Sequence, residues 1–170
     1  MATDRTYNTT LPDGNCDFDP KAVAALNAII EQVPNLEFII SSTWRLGETV
    51  ESFQKILDVR GVIGARVTGI TPRVMILVNN GRTSSAPRGC EIQQVLNDVA
   101  QELWPFHPGL TMREEYELRK QTPYSYLILD DDGDMLYWQR KNFIQTNGHK
   151  GLQMSDVPKA IKILNMPIIL

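Results

Sequence analysis

Along this chain, short apolar runs alternate with stretches whose apolar residues recur at helical spacing. Asp19-Pro20 reads as a helix start, with Asp as N-cap and Pro at the first helical position. Val23, Leu26, Ile29 and Ile30 come next at helical spacing beside Ala22 and Ala25, and Pro34-Asn35 ends the helix. Residues 36–40, LEFII, predict a short buried strand that stops at Ser41-Ser42-Thr43-Trp44-Arg45. A second helix is predicted over 48–60, with Val50, Phe53, Ile56 and Leu57 on one face and Gly61 as its stop. Residues 62–70 suggest another short strand, and 74–78, VMILV, a further apolar run. The composition of 79–89, NNGRTSSAPRG, is that of a loop.

A third helix is predicted over 91–103 from Ile92, Val95, Leu96, Val99 and Leu103. Residues 104–123 form an irregular insertion whose charged REEYELRK reads as a short exposed helix. YSYLIL, 124–129, has the strongest strand pattern and runs directly into Asp130-Asp131-Asp132-Gly133-Asp134. One more short strand over 142–146 and a last helix over 155–164, capped by Ser155 or Asp156, complete the pattern. Strand runs that are continuously apolar, alternating with helices, favour an α/β fold with a mostly parallel sheet covered on both faces. In such a sheet functional groups gather at the carboxyl ends of the strands.

The length of 170 residues suits a single domain over 1–170, with a core large enough to need no staples. The first 18 residues carry no apolar run and read as a linker or cap-like segment rather than a strand. Seventeen basic residues stand against 20 acidic ones, a net charge of −3, so no basic field advertises nucleic-acid binding. Cys16 and Cys90 are far apart and lack metal-ligand neighbours, as expected of reduced thiols in a cytoplasmic protein. No signal peptide and no apolar run long enough for a membrane span is visible. His107 and His149 sit in Gly- and Pro-rich surroundings that suit solvated loops.

Chemistry concentrates at two predicted strand ends. Four carboxylates in five positions repel one another, and a divalent cation relieves that repulsion. Hard oxygen donors on a short loop suit Mg²⁺, which keeps several waters and takes few carboxylates. The competing reading of Asp130, Asp131, Asp132 and Asp134 is an Asp-rich turn capping the next helix. DDDGDMLYWQRK lacks the Glu at its twelfth place that an EF-hand needs. Ser41 and Ser42 offer hydroxyls and backbone amides to a phosphate oxygen, against the plainer reading of a helix cap or ST-turn. Arg88, before the third helix, can grip a phosphate with its fork, and Arg73 is a weaker parallel. Arg45 reads equally as a surface residue, and Trp44 as core.

The ordered series FDP-x-AV-x-x-LN, FIISSTWR, the TPR loop, RG-x-EI, YLILDDDGDM and NFIQTN-x-x-x-GL resembles the haloacid dehalogenase (HAD) superfamily. More narrowly it is similar to the phosphatase-like HAD domains of bacteria and phages, some of them attached to RNA-repair proteins. The resemblance spans residues 18–152. It implies a Rossmann-like sheet with helices on both sides and a Mg²⁺-dependent phosphomonoester hydrolase. Ser41, or Ser42, matches the hydroxyl that holds the transferred phosphoryl group. Arg88 matches the basic residue that neutralises it and orients the nucleophile. Asp130 and Asp131, with Asp134 as a further candidate, match the metal carboxylates. A phosphorylated small molecule or a nucleic-acid end would be the substrate.

The opening motif of the superfamily, a strand ending in Asp-x-Asp-Gly whose first Asp attacks phosphorus, has no counterpart here. Asp17-Phe18-Asp19 spells Asp-x-Asp, yet no buried strand precedes it and Asp19 already caps a helix. Three expectations arise: the strand lies upstream of this sequence, another chain supplies it, or the domain is degenerate and turns over little. The rival expectation is a non-catalytic module that binds a partner or a phosphate ligand through residues 104–123 and an exposed sheet edge. Trp104, Phe106 and Tyr116 would be its anchors, and a homo-oligomer its assembly.

Overall fold

A computed structural model describes residues 18–78 and 81–168. Cys16, Asp17 and most of the N-terminal linker lie outside them. The elements in chain order are α1 (Pro20–Gln32), β1 (Glu37–Ile40), α2 (Val50–Val59), β2 (Arg66–Ile70), β3 (Met75–Val78), β4 (Arg82–Ser85), α3 (Arg88–Leu103), α4 (Met112–Arg119), β5 (Ile128–Asp130), β6 (Phe143–Gln145) and α5 (Val157–Leu164). Short 3-10 helices at Thr43–Arg45, Tyr137–Asn142 and Met154–Asp156 link them.

The helix ends obey local chemistry. Asp19 Oδ1 accepts from the Lys21 amide at 2.8 Å, with Pro20 at the first position of α1. Thr49 and Ser52 form a capping box on α2, and Thr111 and Glu114 form one on α4. At α5 neither Ser155 nor Asp156 caps. Asp156 instead accepts from the Gln153 amide at 2.9 Å and closes the preceding 3-10 turn.

The fold is mixed α/β. β1 pairs in parallel with β2, and β5 in parallel with β6. β3 and β4 form an antiparallel hairpin where the composition of 79–89 predicts only loop. Arg82–Ser85 is polar and exposed, so no burial pattern marks it as a strand. The long strand expected over 124–129 is shorter than its apolar pattern. Only its last residues, with Asp130, join a ladder. Upstream, the Tyr126 carbonyl accepts from the Asn142 side chain, and Tyr124 bridges to Ile168.

Alternate residues of the run 126–129, which leads into and includes the start of β5, enter two different cores. Leu127 and Leu129 join α1, α2 and α5 in the main cluster around Leu26, Ile29, Leu152 and Ala160. Tyr126 and Ile128 pack with Ile92 and Leu96 of α3 and with Met135. Helices therefore cover this part of the sheet on both faces, as its continuous apolar run predicts. β1 departs from that expectation: Phe38 and Ile40 face the main core while Ile39 is exposed. β3 is exposed along its whole length, with Leu77 at 79%. A two-stranded hairpin has no second layer to bury its apolar residues.

Candidate functional site

The carboxyl ends of the two parallel pairs meet at the N-terminus of α3. Ser41 directly succeeds β1, Thr71 succeeds β2, and Asp130 ends β5. The Arg88 side chain joins two of these ends. Its Nη1 donates to the Ser41 carbonyl, and its Nε lies 3.2 Å from Asp130 Oδ2. Three residues that the sequence places far apart are thus brought together.

Ser41 and Ser42 have different work. The Ser42 hydroxyl accepts from the Trp44 amide at 3.3 Å and caps the Thr43–Arg45 turn. The Ser41 hydroxyl instead receives the Thr71 hydroxyl at 3.4 Å, which links the ends of β1 and β2.

Asp130 is half-buried. Burial pushes its pKa up from the ordinary 3.8, against the Asp132 amide bond and the Arg88 charge, which lower it; Asp131 and Asp132 add to the rise. Asp134 meets Arg88 at its backbone rather than at its side chain. Its Oδ2 accepts from the Arg88 amide at 2.8 Å and supplies the cap that Pro87 lacks. One of its oxygens is therefore engaged at the helix terminus rather than free at the β5 end. Asp131 is exposed, and its Oδ2 lies 3.0 Å from where a Cβ on Gly148 would stand.

Arg45 is the residue whose role the sequence least reveals. It is 7% exposed, not a surface residue. Its Nε donates to the Thr71 carbonyl at 3.0 Å, and its Nη1 to the carbonyls of Ser41 and Ser42 at 3.0 Å each. Its Nη2 meets Glu91 Oε2 at 2.5 Å. Glu91 also accepts from the Val74 amide at 3.1 Å. One buried ion pair thus ties the loops after β1 and β2 to the first turn of α3. The signal in the sequence is faint: an Arg three residues after two serines, and a Glu three residues after Arg88.

A cleft of about 230 Å³ opens beside this pair. Thr43, Arg73, Ser85, Arg88, Glu91 and Asp134 are among the residues that line it. Arg73, the weaker of the two predicted arginines, reaches the Ser85 hydroxyl at 3.4 Å on its rim.

Among the described residues, no three His, Cys, Asp or Glu side chains gather into a metal-holding group. The donor chemistry still fits Mg²⁺, which is commonly held by one or two carboxylates, waters and substrate phosphate rather than by a protein cage. Asp130 and Asp131 supply two hard-oxygen side chains at and just after the end of β5.

A family model described as the HAD domain in Swiss Army Knife RNA repair proteins matches residues 2–106, more than half of the chain. The chain belongs to this family. No curated protein and no solved structure matches it. The matched stretch of the HAD domain holds Ser41, Arg45, Arg88 and Glu91, whereas the acidic cluster from Asp130 lies beyond it. No helix among the described residues is long and apolar enough to cross a membrane. Of the anchors named for a docking role, Trp104 is buried. Its ring lies 5.1 Å from that of Tyr124, and its Nε1 donates to Thr122 at 2.9 Å. Phe106 is 81% exposed, and Tyr116 is partly so.

Proposed function

We propose that this HAD domain is a phosphomonoester hydrolase site of Mg²⁺-dependent type, which holds its ligand well and turns it over slowly. In this reading the Ser41 hydroxyl and nearby backbone amides take one phosphoryl oxygen. Arg88 neutralises charge on the phosphoryl group, where preorganised donors are worth most. Asp130 and Asp131 would hold Mg²⁺, which would polarise the phosphoryl oxygen and screen its charge from the carboxylates. Asp134 positions Arg88 by capping α3.

The observation that carries the reading is the Arg88 side chain spanning from the Ser41 carbonyl to Asp130. It draws hydroxyl, cation and carboxylate to one place. We read β1–β2 and β5–β6 as two parts of one Rossmann-like sheet. A further parallel strand between them would complete it and bring the attacking carboxylate. Hydrolysis would need that carboxylate, since none of the residues assigned to this site serves as a nucleophile.

The test is paired. Inorganic phosphate and Mg²⁺ are titrated calorimetrically, and an aryl phosphate is assayed with and without Mg²⁺. Phosphate binding that needs Mg²⁺ and is lost in Arg88→Ala, with turnover near background, is the expected result. Robust Mg²⁺-dependent turnover abolished by Asp17→Asn would overturn the slow-turnover part. Absence of both phosphate and Mg²⁺ binding would overturn the whole.

One observation favours a second reading, a non-catalytic module that oligomerises through an exposed edge. Met75, Ile76, Leu77 and Val78 of β3 are all exposed. Sedimentation decides this: a dimer dissociated by Leu77→Lys supports it, and a monomer at every concentration removes it.

A further inference from the structure

Arg73 carries a charge that its surroundings leave unmatched. Among the described residues it has no carboxylate partner, and its side-chain hydrogen bond runs from Nη2 to the Ser85 hydroxyl at 3.4 Å. The backbone on either side of it is nonetheless fixed. The Thr71 carbonyl accepts from Arg45 at 3.0 Å, and the Val74 amide donates to Glu91 Oε1 at 3.1 Å. The Ala86 amide donates to the Val74 carbonyl at 2.8 Å and closes the base of the β3–β4 hairpin. Residues 71–74 are thus tied to the buried Arg45–Glu91 pair, and Arg73 stands on them at the rim of the cleft of about 230 Å³.

The other charges that line the cleft are already matched. Arg45 meets Glu91, Arg88 meets Asp130, and Asp134 sits on the positive N-terminus of α3 through the Arg88 amide. Arg73 is the cation left over, with room for one more negative charge. A carboxylate carries one, in a plane that the guanidinium fork grips bidentately. The cleft is also small and lacks a stacking surface. Its volume falls below the roughly 300–1,000 Å³ of pockets that enclose drug-sized ligands. Among the described residues no aromatic side chain lines it, so a nucleobase has nothing to stack on there. Leu46 and Ala86 give it a short apolar wall instead.

We infer that Arg73 selects, for the phosphoryl site, ligands that also carry a carboxylate: short phosphorylated carboxylic acids. Their phosphoryl group lies at Ser41 and Arg88, their few carbons against Leu46 and Ala86, and their acid group on Arg73. The Ser85 hydroxyl, which accepts from Arg73, has only the weak Met75 Sδ acceptor at 3.9 Å for its own proton and can turn that proton to the same carboxylate. This selection rests on the phosphoryl-site reading, because Arg88 serves that site and lines the cleft as well.

The test is calorimetric titration of the full chain in the presence of Mg²⁺. Phosphorylated hydroxy acids of increasing chain length, from phosphoglycolate upward, are compared with alkyl phosphates of the same lengths, with ethylene glycol bisphosphate and with AMP. At least one acid should bind about tenfold more tightly than its alkyl counterpart, the effect of one charge-assisted pair. In Arg73→Gln the two should bind alike. Arg73→Lys keeps the charge and loses the fork, so a smaller preference should survive. Arg73 is exposed, so both variants should stay folded, which thermal melts check. Equal binding of every acid and its alkyl counterpart, or a preference that persists in Arg73→Gln, would overturn the inference. Tighter binding of the bisphosphate would overturn the choice of a carboxylate, and tighter binding of AMP the choice of a small ligand. Inorganic phosphate is titrated separately. If it binds while the acids show no preference, the role of Arg73 falls alone; if it does not bind, the phosphoryl reading falls and takes that role with it.

Discussion

Arg88 Nε lies 3.2 Å from Asp130 Oδ2 where α3 begins and β5 ends. Burial raises the pKa of Asp130 above 3.8 despite this partner, so the folded chain binds that proton more tightly than the unfolded chain. The contribution of Asp130 to stability is then fully present below 3.8 and is lost as pH rises through its raised folded value. Asp130→Asn removes that loss while keeping an oxygen for Arg88. Without added Mg²⁺ the variant should melt higher than the parent at neutral pH, with the difference closing as pH falls toward 3.8. Thermal melts across a pH series check this, and a variant that melts lower at neutral pH would contradict it. Added Mg²⁺ should raise the melting temperature of the parent and leave the variant unmoved.

Asp134 separates the two roles that an acidic cluster can play. Its carboxylate accepts from the Arg88 amide at 2.8 Å, which any good capping side chain can do. Asp134→Asn should therefore keep both stability and Mg²⁺ affinity. Asp134→Ala should cost about 1 kcal/mol of stability and weaken phosphate binding by loosening Arg88. Calorimetric Mg²⁺ titration of the Asn variant is decisive: a large loss of affinity would make Asp134 a metal ligand instead.

The sequence makes these strand ends legible because apolar runs and helix caps are local signals. The Asp19-Pro20 start, the helix periods and the YSYLIL run preceding the acidic residues each need only a few neighbours to be read. Arg45 and Glu91 could not be found that way. Their meaning is a contact across 46 positions, and each alone matches an ordinary solvated residue. β4 was equally hidden, because a polar hairpin strand with both faces in water has no period to display. The exposure of Ile39 and β3 depends on what packs over them, which an apolar run does not specify.

The Arg45–Glu91 pair should be costly to break from one side. Glu91→Ala leaves the Arg45 guanidinium buried with a lost counter-charge and the Val74 amide without its acceptor. Removing one partner of such a pair costs about 3–5 kcal/mol. Denaturant unfolding should show a loss in that range, and phosphate affinity should fall with it because the Ser41 loop is released. Arg45→Met combined with Glu91→Leu should recover part of the stability, since no lone charge remains buried, but not the phosphate affinity. Recovery of both would mean that the pair does not position the loop.

Gly89 marks the tightest packing around the site. A Cβ there would meet the Leu136 nitrogen at 2.7 Å, Gln139 Oε1 at 2.8 Å and the Asp134 carbonyl oxygen at 3.1 Å. Two of these are backbone atoms, and the third belongs to a side chain with no exposure and three hydrogen bonds of its own. None can retreat cheaply. Gly89→Ala should therefore destabilise by about 1–3 kcal/mol, the range for overpacking a close-packed site. The added methyl would push the Tyr137–Asn142 helix away from α3 and strain the hydrogen bond from Trp138 Nε1 to Gln93 Oε1. Tryptophan fluorescence should shift toward greater solvent exposure before global unfolding. A variant with the parent's melting temperature and emission spectrum would show that the contact between α3 and this helix is looser than the distances imply.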